Sequence, residues 1–527
     1  MGYSIRQAIA LSLFVLFLPA RFSSAREYQP AGRLSPADRP VTEPRTPLGV
    51  NAKVDIEQAI KGFTDPSHAE PANLHLALRR LYAGLLDNPA ISGLTIGAHW
   101  DQIQLSDPIC SLDHNCLGSP DGYDWSYLDD AFAEAHRAHK SVQLIITPAV
   151  DAPPWLLDKL TPCDGLFASS GPAATGTTGN PFAHCGKVTF VGFPEAQRAD
   201  GNVLPLPWNG VYKHAWRDFL EHLAVRYQSD AAFVSIAVAG AMCASTEIIL
   251  PTSANSPPQA SGSVDSMWAQ LINNSFPNIP DYQQTDQVFI DEWKDAIDEY
   301  ERIFSGVTLF ISPNVGKDLP EFVQNPVPVQ VHDDNTLYFN NCPLAVADGH
   351  MRSCEAKTEI LSYFVTVAGP NAKATRVGGM KASNSNDTGD IGLPGVKLLT
   401  SLSLLGGAEF DHPVTGSANF LEQGCPDYPD VSKCTDLTKE QAAFNVLRVF
   451  FHGTPAADFD PGEVTSRIQY LEVPYVDVEY ANKHPCETNP VANLGSVSLE
   501  NLLYRASKDL FEMADRRPPP PLPAECF

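Results

Sequence analysis

The chain alternates between two hydrophobic rhythms. Residues 74–86 place apolar side chains at helical spacing and predict an amphipathic helix. A short apolar run at 92–98 predicts a strand. Residues 125–139 predict a helix with Asp124 as its N-cap, and 141–147 a strand stopped by Pro148. After a loop-rich insertion at 149–211, residues 212–227 carry Trp216, Phe219, Leu220 and Leu223 on one helical face. Residues 233–239 form a continuous apolar strand. Helices then follow at 292–304, 356–367, 396–405, 439–451 and 497–513, with strands at 307–312, 375–380, 417–421 and 468–473. An eighth strand falls within 48–54.

Strand and helix in this order imply parallel strands joined by helical crossovers. Strands apolar on both faces fit a sheet covered by helices. Eight such units predict an α/β fold of the (β/α)8 TIM-barrel class, with long loop insertions stapled by disulfides. A doubly wound open sheet is the other topology with this pattern. No Gly-rich phosphate turn follows an early strand, which removes its usual nucleotide chemistry.

Composition narrows the picture. The 527 residues are 43% hydrophobic and 9% aromatic, enough for a large core, and the net charge of -26 excludes the basic footprint that nucleic acid requires. At the N-terminus, Arg6, an apolar run at 9–20 and the small residues Ser23, Ser24 and Ala25 read as a signal peptide, 1–25, with cleavage after Ala25. No later apolar stretch is long enough to span a bilayer, so no membrane contact is expected after cleavage. Residues 26–48 form an extended lead-in, 49–515 the catalytic domain, and 516–527, with four consecutive prolines, a tail.

Cysteine spacing agrees with an oxidising, secreted or periplasmic compartment. Cys110 with Cys116, Cys163 with Cys185, Cys342 with Cys354, and Cys425 with Cys434 each bracket a loop. Cys486 and Cys526 make a fifth pair, leaving Cys243 as a core thiol. None has the spacing of a zinc site.

In a barrel the active site forms at the C-terminal strand ends. Glu247 follows the fourth strand in weakly polar surroundings that suit a general acid. Glu422 ends the strand expected at 417–421. Two carboxylates roughly 5–5.5 Å apart carry out double displacement at an anomeric carbon. Glu409 and Glu472 are competing strand-end carboxylates. Trp100, Trp155 and Trp208 are candidate platforms for sugar rings. His99, Asp101 and His412 are candidate hydroxyl partners, and Asn384 and Asn386 read as an exposed turn.

An ordered set of motifs carries a resemblance. His99-Trp100-Asp101, Tyr123-Asp124-Trp125 through Leu128-Asp129, Val142-Gln143-Leu144, Pro153-Pro154-Trp155, Leu206-Pro207-Trp208 and Trp216-Arg217-Asp218 together resemble clan A glycoside hydrolases, especially the β-galactosidase-like families. The resemblance spans much of 91–250. It implies an acid/base after strand four and a nucleophile after strand seven, hence Glu247 and Glu422, with retention of configuration. It implies a carbohydrate substrate and requires no cofactor, organic or metal. One departure is Thr246, where many clan members place Asn. An inactive sugar-binding barrel and an inverting glycosidase are the alternatives. A Ser-His-Asp hydrolase is disfavoured because no G-x-S-x-G turn is present.

Overall fold

The computed structural model describes residues 45–311 apart from 46, 65–72, 108–121, 168–183, 193–201, 244–247, 254–255, 260–261 and 284–285. Beyond these it describes 319–320, parts of 356–367, strands at 377–380 and 406–409, and most of 468–519. All of them fall in the compact unit Glu43–Phe527. The leader call at 1–25, most of the lead-in and the expected helices at 396–405 and 439–451 lie outside the described residues.

Eight strands form one parallel sheet: β1 (Gly49–Asp55), β2 (Ile91–His99), β3 (Ser141–Thr147), β6 (Phe233–Ala237), β7 (Thr308–Ile311), β8 (Val377–Met380), β9 (Gly406–Glu409) and β10 (Ile468–Pro474). Their order is β8-β7-β6-β3-β2-β1-β10-β9. Neighbours in the sheet are thus consecutive barrel-type units, wrapped so that the first strand pairs with both the second and the last. The end strands β8 and β9 approach within 8 Å between Cα atoms, so the sheet is curled.

Outside this sheet, β11 (Asn489–Val491) pairs antiparallel with β12 (Gly495–Val497), and β4 (Lys187–Phe190) and β5 (Asn202–Pro205) pair antiparallel inside the segment expected to be loop-rich. That segment also holds the Cys163–Cys185 disulfide, with Cα atoms 5.1 Å apart. The other four expected disulfide pairs lie outside the described residues. Cys243 is fully buried.

Five helices begin where a polar side chain satisfies a free N–H group. Asp55 caps α1 (Ile56–Phe63) by accepting from Gln58 N, and Asn73 caps α2 (Leu74–Asp87) by accepting from Leu76 N. α3 (Ser126–Ala138) starts one residue later than expected. Trp125 takes the cap position, and the carboxylate of Asp124 accepts from Ser126 N at 3.0 Å. Asn209 caps α4 (Gly210–Tyr227), and Ser263 caps α5 (Val264–Ser275). α6 (Gln287–Ile303), α7 (Tyr475–Lys483) and α8 (Leu499–Met513) complete the well-described helices. Among the described residues, no helix is long and apolar enough to cross a membrane.

Strand alternation sorts side chains onto two faces. Val50, Ala52, Val54, Leu94, Ile96, Val142, Leu144, Ile146 and Ile236 face the helices and join one continuous core. The other face was expected to be apolar too, and it is not. Its lower rows carry Asn51, Thr95, Gln143, Ser235 and Glu472, all fully buried. Above them Ile145, Ala237 and Phe310 form a small separate apolar layer.

The seventh strand of the eight-stranded sheet, in chain order, is β9 (Gly406–Glu409), in register with β10. The expected strand at 417–421 lies outside the described residues, and the eight-stranded sheet is complete in number without it.

Candidate active site

The C-terminal ends of β1, β2 and β3 bring together residues distant in sequence. Asp55 ends β1, Glu57 lies in the first turn of α1, and His99 ends β2. Asp101 follows in the helical turn Trp100–Ile103, and Asp151 lies just past β3 in the turn Ala149–Asp151. The His99 ring is the centre of this group. Its Nδ1 lies 3.3 Å from Glu57 Oε2 and 3.4 Å from Asp151 Oδ1, and its Nε2 lies 3.9 Å from Asp55 Oδ2.

Asp151 is almost fully buried, and Thr147 Oγ1 donates to its other oxygen at 2.8 Å. The turn that delivers Asp151 is strained. Ala149 has φ of 66°, in the left-handed region that side chains other than Gly rarely adopt. Such strain, on the order of 1 kcal/mol or more, persists where surrounding contacts over-determine the backbone.

One imidazole among four carboxylates makes a polar rim able to donate and accept hydrogen bonds with a polyhydroxylated ligand. Ligand atoms of His99, Asp101 and Asp151 also lie within 4.8 Å of one another, so this set could hold a divalent cation.

Below the rim runs a buried polar chain. Ser235 Oγ donates to Gln143 Oε1 at 2.7 Å, and Gln143 Nε2 donates to Glu472 Oε1. Glu472 pairs in register with Glu409, the last residue of β9. The seventh and eighth sheet strands therefore each bring a carboxylate-bearing residue to the same row.

The candidate sugar platforms separate into two kinds. Trp100 is fully buried and corrects the expectation of a stacking surface. Its ring lies edge-on to Trp216 at 4.9 Å and packs near Tyr212 and Phe219. Its Nε1 donates to Gln104 Oε1 at 2.7 Å. No face is left for a ligand.

Trp155 is half-buried. It donates to the Gln104 carbonyl at 3.3 Å, and Lys159 Nζ lies 5.0 Å from its ring centre. Trp208, also half-buried, packs edge-on to Trp268 and Phe276. Glu247, Glu422 and His412 lie outside the described residues.

A second feature sits on the helix side of the sheet. A cavity of about 300 Å³ between α4 and α6 is lined by Tyr212, Lys213, Trp216, Glu292, Glu299 and Tyr300, among others. Burial pushes the Glu292 carboxyl up to about 7, opposed by Lys213, whose Nζ lies 2.6 Å away. Nothing in the sequence pattern marked this pair, because helical spacing alone does not show which charges a neighbouring helix covers.

Curled parallel α/β sheet, helices on one face, polar rim at the C-terminal strand ends: that is the class of protein defined here. No protein-family model matches the chain, and no curated protein does. Among solved structures, it is similar to the catalytic domain of a β-amylase from Paenibacillus polymyxa at 10% identity. That likeness covers 89% of this chain and 99% of that one, with a TM-score of 0.37.

It is also similar to β-galactosidases from Marinomonas ef1 (14% identity, TM-score 0.25) and Bacillus circulans sp. alkalophilus (12%, 0.26). These cover 50% and 51% of this chain. The chain spans 37% of the length of each β-galactosidase.

Proposed function

We propose that the protein is an exported glycoside hydrolase that cleaves an oligo- or polysaccharide with retention of configuration, on a sheet closed as a (β/α)8 barrel. The observation that carries this reading is the set of carboxylates and His99 gathered at the C-terminal ends of β1 to β3, where barrel enzymes place their chemistry. Glu247, four residues beyond the buried Cys243, serves as acid/base. The expected nucleophile was Glu422. Because the seventh strand ends at Glu409, Glu409 takes that role in the proposal, with Glu422 as its competitor.

In this mechanism one carboxylate attacks the anomeric carbon while the other protonates the departing oxygen, and water then releases the glycosyl intermediate. His99, Asp101 and Asp151 hydrogen-bond hydroxyls of the sugar, and Trp155 and Trp208 flank it. Residues 1–25 act as the leader, and the Cys163–Cys185 disulfide suits the compartment reached.

A panel of aryl glycosides tests the reading. Glu247→Gln and Glu409→Gln should each lower kcat by roughly a thousandfold or more while leaving the melting temperature within a few degrees. Retained activity in Glu409→Gln with loss in Glu422→Gln moves the nucleophile to Glu422. Full activity in all three variants removes the mechanism.

A further inference from the structure

We propose that the cavity between α4 and α6 is a second ligand site, which takes a single neutral sugar ring. It lies on the helix side of the sheet, apart from the rim around His99, and does not depend on what the rim catalyses. Lys213, Trp216 and Leu220 line it from α4, and Glu292, Glu299 and Tyr300 from α6. Residues 239–241, just past β6, line it too. At about 300 Å³ it stands at the small end of ligand pockets, which run roughly 300–1,000 Å³.

Two polar atoms in its wall call for a ligand. Trp216 is 8% exposed and Tyr300 1%, and neither Trp216 Nε1 nor Tyr300 Oη has a hydrogen-bond partner among the described residues. The Tyr300 hydroxyl faces Trp216 and the backbone of Ala239, yet closes a hydrogen bond with neither. A buried donor left orphaned is costly, and native proteins keep few of them.

The charges around these two atoms are matched with one another. Lys213 Nζ lies 2.6 Å from Glu292 Oε2 and 3.0 Å from Asp295 Oδ2, and Arg217 Nε lies 3.0 Å from Glu299 Oε1. Asp298 accepts from Tyr363 Oη at 2.9 Å. Four carboxylates against two cations line the cavity, so an anion is repelled.

A cation fails for a different reason. An ammonium group only donates, and so does the indole N–H, which would stay unsatisfied. Both needs are met by a neutral ligand whose oxygens accept from Trp216 and Tyr300 and whose O–H groups donate to the carboxylates. A polyhydroxylated ring offers both kinds of group around its edge. Trp216, Tyr212 and Leu220 supply an apolar wall for its C–H groups.

Isothermal titration of the full chain with D-glucose, D-galactose, D-mannose and D-xylose tests the proposal. At least one of the four should bind. Trp216→Phe and Tyr300→Phe should each weaken that binding about tenfold, the worth of one buried hydrogen bond. Ala296→Leu fills the cavity and strips nothing from the core. It should abolish binding, and it decides the matter where an aromatic variant loses its melting transition. His99→Ala should leave the affinity within about twofold.

Binding lost in His99→Ala and kept in Ala296→Leu assigns the sugar to the rim and overturns the inference. Failure of all four sugars to bind overturns it as well, as does tighter binding of acetate or methylammonium than of any sugar. Because the readout is binding, a chain inactive on every aryl glycoside still tests the proposal, and the two readings fail separately.

Discussion

The two faces of the same strands obey different rules. The outer face is built from Val50, Val54, Leu94, Ile96, Val142, Leu144 and Ile236, packed against amphipathic helices. Burying each such side chain contributes roughly 1.5–3 kcal/mol. The inner face puts Asn51, Thr95, Gln143, Ser235 and Glu472 in equally complete burial. There the contacts are directional: Ser235 to Gln143, Gln143 to Glu472. Buried polar groups contribute little net stability even when paired and cost much when orphaned. The outer face therefore holds the fold, and the inner face spends part of that stability on buried, hydrogen-bonded polar residues in its lower rows.

Single substitutions on β3 separate the two most sharply, because neighbouring residues point opposite ways. Leu144→Ala on the outer face should have the largest effect on stability, about 2–5 kcal/mol in denaturant unfolding, with kcat of the folded fraction unchanged. Gln143→Leu on the inner face should cost less, about 1–3 kcal/mol, because it strips a donor from the buried Glu472 and an acceptor from Ser235. Unlike the first change, it should lower kcat, since Glu472 stands in register with Glu409. Equal losses of stability with no difference in kcat would erase the distinction between the faces.

The same contrast explains what the sequence made legible. The outer rows announced themselves, since 141–147 and 233–239 read as strands from their apolar residues, and β3 and β6 lie there. The polar inner residues were hidden within those runs: one Gln in 141–147 and one Ser in 233–239 do not break an apolar pattern. The strand end at Glu409 stood second to 417–421 in the sequence because Gly406-Gly407-Ala408-Glu409 has two glycines and low strand propensity, and its strand character comes from pairing with β10.

In the site, His99 and Asp101 stood out in sequence. Their partners Asp55, Glu57 and Asp151 come from other strand ends and are brought in only by the parallel register. Trp100 shows the reverse error. A tryptophan beside a strand end looks like a platform, and only packing against Trp216 reveals it as core.

The central claim is that the strand ends of the inner face form a retaining glycosidase centre. Exposure of the protein to an activated 2-deoxy-2-fluoro glycoside of the preferred sugar, followed by peptide mass mapping, tests it most directly. The account predicts one glycosyl adduct per chain on Glu409, formed in wild type and in Gln143→Leu at a reduced rate. An adduct on a residue of the helical shell, or turnover of the parent glycoside without any covalent intermediate, would contradict it.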